Sequence, residues 1–115
     1  MPIMHGHSKA DARNLGLHQV ALKKLAQHPE LRVRCIALVD RWLAMPERAP
    51  SASWLRDWRQ MLETWSDAQL ASVVLDEVGG QTLRQCSPLG PALTPRERSA
   101  ALIEINRSFS EPAPP

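Results

Sequence analysis

"SWLRDWRQMLETW", Ser53 to Trp65, is the stretch on which the fold turns. At roughly 100° per residue, Trp54, Trp58, Met61, Leu62 and Trp65 fall within about 100° of arc, with Leu55 at the edge. Arg56, Arg59, Gln60 and Glu63 occupy the other side. This is the pattern of an amphipathic helix, and Ser53 is its expected N-cap. Three tryptophans on one stripe read as core, since each ring can bury about 150–250 Å². A ligand cage or a base-stacking platform is the other use of that spacing. A helix with so large an apolar stripe needs further helices to cover it.

Helical punctuation recurs in both directions. Upstream, "HPELRVRCIALVDRWL" predicts a helix from about Glu30 to Met45, with Leu31, Cys35, Leu38, Trp42 and Met45 in a stripe widened by Ile36, Val39 and Leu43. Its apolar arc of about 180° predicts the central helix of the core. Before it, Lys9 to about Gln27 reads as helix, opened by a Ser8–Asp11 capping pattern and closed by Pro29. There Leu15, His18, Ala21, Leu22, Leu25 and Ala26 share one side while Leu17 and Val20 do not, so two neighbours are expected. "MPERAPSAS" is a stop and a short loop.

Downstream, Ser66 caps a fourth helix, "DAQLASVVLDEV", which Gly79-Gly80 breaks before "QTLRQC". Thr94-Pro95-Arg96-Glu97 carries a cap, a proline at the first helical position and a glutamate three past the cap. The helix it opens runs to about Ser108, with Leu102, Ile105 and Phe109 on one face. No clean run of alternating residues marks a strand. The expectation is an all-α protein, a compact bundle of five or six short helices. Residues 1–7 are expected as a flexible N-terminus, 8–109 as a single helical domain, and 110–115, "SEPAPP", as a disordered Pro-rich tail.

At 115 residues, 43% hydrophobic and 23% charged, the composition is that of a soluble globular domain. The net charge of +2 is too small to imply nucleic acid by itself. It is uneven, however: residues 1–41 hold seven basic side chains against three acidic ones, +4, which leaves −2 for the remainder. Cys35 and Cys86 lack metal-ligand or redox spacing and are expected as reduced thiols, Cys35 as a buried structural one. No segment approaches the roughly 20 apolar residues of a membrane span, so the cytoplasm and no membrane partner are expected.

Catalytic patterns are missing. His5 and His7 make two metal ligands at most, and His18 and His28, ten residues apart on helical chain, cannot share an ion. Gly79-Gly80 lacks the lysine and hydroxyl of a phosphate loop. Neither an enzyme, a metal nor a cofactor is expected. Two binding classes remain. Lys23, Lys24, Arg32 and Arg34 surround the corner between the first two helices and could meet DNA phosphates, the alternative reading of a small transcriptional regulator. The broad apolar helices instead suggest a protein-interaction module, its partner another protein or a second copy in a homodimer.

The connection "LRQCSPLGPALTPRER", Leu83 to Arg98, favours the second class. Leu83-Arg84-Gln85, a small residue, Ser87-Pro88, a large apolar residue and Gly90, then Leu93-Thr94-Pro95 and a charged helix, resemble the C-terminal part of a family of short bacterial proteins. These are the non-toxic members of two-gene toxin–antitoxin-type operons. "HPELRVRCIALVDRWL" and "WLRDWRQML" are similar to that family's preceding helices, and Cys86, Leu89 and Pro91 depart from its pattern. The resemblance implies an antitoxin-like protein that binds and neutralises a partner toxin, with repression of its own operon as a further role. It points to Ser87, Pro88, Leu89, Gly90 and Leu93 as the partner-binding residues. Prolines 88, 91 and 95 would hold that loop stiff, so little entropy would be lost on binding. A corner with Leu89 and Leu93 folded inward is the competing reading.

Overall fold

The computed structural model describes residues 9–110. The Ser8 cap, the His5–His7 pair and residues 111–115 of the tail lie outside the described residues. Six α-helices follow one another: α1 (Lys9–Gln27), α2 (Leu31–Leu43), α3 (Ala52–Thr64), α4 (Asp67–Val74), α5 (Gln81–Gln85) and α6 (Pro95–Ser110). One 3-10 turn, Pro46–Ser51, joins α2 to α3, and a second, Gly90–Ala92, lies between α5 and α6. No strand occurs among the described residues, in keeping with the all-α expectation. No helix is long and apolar enough to cross a membrane among them.

The core is built where the apolar stripes meet. Leu55, Trp58, Met61 and Leu62 of α3 are buried, with Leu22 and Leu25 of α1, Cys35 and Val39 of α2, and Leu70 and Val74 of α4. Trp58 is completely enclosed and its indole Nε1–H donates to the Leu83 carbonyl at 2.9 Å. The tryptophan stripe divides along its length. Trp65 is half-buried, whereas Trp54, in the first turn of α3, is 39% exposed. Helix α3 begins one residue before the expected Ser53 cap, at Ala52.

Helix α2 is less enclosed than its sequence predicts. It packs on α3 and on both 3-10 turns, buries only Cys35 and Val39 among its side chains, and leaves Val33 68% exposed. Helix α1 has the two neighbouring sides expected of it. His18, Ala21, Leu22 and Leu25 face the core, and α6 lies along another side. Where α1 meets α6, a Cβ placed on Gly16 would stand 2.8 Å from Cδ1 of Ile105.

Two arginines close helix ends. Arg84 donates through Nη1 to the carbonyls of Val74 and Asp76, at 2.6 and 2.7 Å, and through Nη2 to Glu77 at 2.9 Å. The Val74 carbonyl has no intrahelical donor once α4 stops, the Asp76 carbonyl also accepts from the Gly80 N–H at 3.0 Å, and a guanidinium fork suits all three. Arg32 treats α3 in the same way, donating to the carbonyls of Leu62 and Trp65 at 2.8 Å each and to Asp67 at 2.8 Å. Helix α4 therefore ends at Val74, four residues short of the "DAQLASVVLDEV" reading. Gly80 lets the chain return over that end, since a Cβ there would stand 2.6 Å from the Val74 carbonyl oxygen.

Candidate functional site

The Ser87–Leu93 connection starts where α5 runs out. The Cys86 N–H still bonds to the Thr82 carbonyl, but Pro88 has no N–H with which to continue. Ser87 Oγ accepts from the Leu89 N–H at 3.2 Å, and the Gly90–Ala92 turn follows. Pro88, Leu89 and Ala92 are buried, Leu89 to 3% exposure. Within the expected contact loop, Pro88 and Leu89 fold inward and plug the core. The physical reason is that short helices leave a gap that a stiff apolar loop can fill. Ser87 and Leu93 are half-buried, and Gly90 is exposed.

Above this plug lies a cleft of about 230 Å³. Asn14, Leu17, His18 and Ala21 of α1 form one wall, two turns of a single helix face. Ser87, Leu89, Gly90 and Leu93 form the other, so four of the five expected loop residues do gather at one place. Arg84 lies at its base and Arg98 of α6 at its rim.

His18 is only 6% exposed, and its Nδ1 stands 2.7 Å from the Asn14 carbonyl oxygen. A carbonyl only accepts, so Nδ1 carries the hydrogen and Nε2 presents a lone pair. That Nε2 is buried without a hydrogen-bond partner. Burial first, then the nearby positive charge of Arg84, lowers the His18 pKa from its ordinary 6.5, with the Asn14 bond opposing. Sequence reading placed His18 on the apolar side of α1 but could not foresee the orphaned nitrogen. Arg84, Asn14 and Arg98 carry no functional signal in the sequence, since three singly occurring polar residues on three helices share no spacing.

The basic corner is partly consumed by the fold. Lys24 pairs with Glu97 and ties α1 to α6, and Arg32 is held by α3 and Asp67. Lys23 and Arg34 remain exposed. Glu97 also completes the expected capping box, accepting from the Thr94 N–H at 2.9 Å while its own N–H donates to Thr94 Oγ1 at 3.1 Å. The Lys24 bond, followed by the Thr94 amide, holds its carboxyl at about 2. Cys35 is fully buried, and burial raises its thiol to about 11, far from nucleophilic range at neutral pH. Among the described residues, no three of His, Cys, Asp and Glu converge as metal ligands. No family model, no curated protein and no solved structure matches the chain.

Proposed function

We propose that the chain is a non-enzymatic protein-interaction module, antitoxin-like in its most concrete form, that binds and neutralises a partner protein. One observation carries this reading: α6 rides on α1 without burying a single described side chain, and an apolar groove lies open between the two. The groove is about 460 Å³. Val20, Leu93, Ala100, Ala101 and Ile105 give it an apolar floor, with Lys23 on the α1 bank and Glu104 on the α6 bank. Val20 is 37% exposed and Ala100 is exposed, surface that an amphipathic helix of a partner would cover. Such a helix would set an acidic residue toward Lys23, whereas Glu104 is already paired with Arg107 at 2.8 Å. With Lys24 and Arg32 engaged internally, nothing favours the DNA reading over this one.

The test is capture from the native lysate with three single variants. Val20→Glu and Ala100→Glu place charge in the groove. Ile103→Glu serves as control, since Ile103 is two residues from the groove-lining Ile105 and so points away. One stoichiometric protein, lost with the first two variants and kept with the third at unchanged melting temperature, supports the reading. Recovery of further copies of the chain alone, with dimer mass by light scattering, would replace it by self-association. Capture that survives both groove variants would remove the groove as the contact surface.

A further inference from the structure

The cleft above Leu89 combines three features that packing does not require. His18 buries an imidazole whose Nε2 meets no donor, where a leucine would fill the space and leave no lone pair unsatisfied. Helices α4, α5 and α6 and the second 3-10 turn all pack against α1, and the charged side chains they bring to the cleft are Arg84 and Arg98. Among the described residues, no carboxylate lines it. Arg84 is occupied by three backbone carbonyls, whereas Arg98 stands exposed at the rim. Leu17, Ala21, Leu89 and Leu93 make the remaining surface apolar, and the space equals that of about eight water molecules.

A positive cleft with apolar walls suits a carboxylate on a short hydrocarbon body. Against neutral His18, however, such a carboxylate would meet an acceptor with an acceptor. One proton on Nε2 removes the conflict, because the imidazolium donates to the carboxylate. The ligand's negative charge also offsets the repulsion from Arg84. We infer that this cleft binds a small aliphatic monocarboxylate together with one proton, Arg98 gripping the carboxylate and His18 Nε2 carrying the proton. Nε2 is closed to water in the free protein, so the ligand reaches it through a small opening of the cleft wall. The cleft shares only Leu93 among its lining residues with the α1–α6 groove, and neither reading depends on the other.

Butyrate is the probe, because its own carboxyl stays ionised well above about pH 5, as does sulfate, the tetrahedral comparison. The full chain is titrated by NMR, following the His18 ring nitrogens and the Leu17 and Leu93 methyls. Saturable binding is expected that tightens by about tenfold or more from about pH 8 to about pH 5.5, with the Nε2 signal moving to its protonated position. Arg98→Gln, a rim substitution, should weaken binding about tenfold at each pH. His18→Leu should weaken it and flatten the pH dependence, its methyl spectrum elsewhere reporting an intact fold. Absence of saturation at tens of millimolar, pH-independent binding, or indifference to His18→Leu would overturn the proposal. Preference for sulfate over butyrate would overturn the carboxylate assignment.

Discussion

Leu89 and Leu93, four residues apart in one connection, have different fates. Leu89 is 3% exposed and Leu93 half-buried at the cleft wall, although their local sequences look alike. Leu89→Ala should therefore cost about 3 kcal/mol in denaturant unfolding, and Leu89→Asp more, whereas Leu93→Ala should stay near about 1 kcal/mol. A Leu89→Asp chain of native stability would return the loop to the surface. His18 gives a second test at this scale. Its pKa is lowered in the folded chain and ordinary, 6.5, in the unfolded one. The unfolded chain thus binds the extra proton, so stability is complete above about 6.5 and declines as pH falls toward the folded value. Denaturant midpoints at stepwise lower pH should show that decline in the wild type and lose its His18 share in His18→Leu. Periodicity revealed that His18 faces inward. It could not reveal the missing donor, because that depends on what three distant segments fail to supply.

Among the elements, local signals fared best where a few neighbouring residues decide the outcome. The Thr94–Glu97 box and the Ser66 cap of α4, with Gln69 reciprocating, are both present. The α3 stripe is buried through most of its length for the same reason, since a large one-sided moment leaves little choice of face. Helix ends set by distant side chains were illegible. Nothing within "DAQLASVVLDEV" stops the helix at Val74; the stop comes from Arg84 ten residues on. Arg32 likewise looked like a phosphate ligand because its partners, the Leu62 and Trp65 carbonyls, lie thirty or more residues away. Arg84→Lys keeps the charge but cannot fork to three carbonyls, so it should destabilise by about 2 kcal/mol in urea. Loss of less than about 0.5 kcal/mol would show that water satisfies those carbonyls equally well.

Across the whole molecule the helices are unequal in how firmly they are held. Trp42, Trp54, Trp58 and Trp65 all lie in or beside α2 and α3, so tryptophan fluorescence reports that pair of helices. Helix α6 carries no tryptophan and no buried described side chain. It is tied to α1 by the seat of Ile105 over Gly16, by Arg13 donating to Asn106 at 2.8 Å, and by the Lys24–Glu97 pair beside its cap. Glu97 joins two of these functions, since one carboxylate both pairs with Lys24 and caps the helix. Its folded pKa of about 2 lies below the ordinary 4.5, so what it contributes is present above about 4.5 and is lost as pH falls toward about 2. Acid should then release α6 while α2 and α3 stay packed, a local opening rather than global unfolding. Far-UV circular dichroism, which sums all helices, should fall at a higher pH than the tryptophan signal moves, and the two curves should separate. Gly16→Leu, which pushes Ile105 off its seat, should widen the separation. Coincident curves in both chains would mean that α6 is as integral to the fold as α3, and that the groove beside it is a fixed wall.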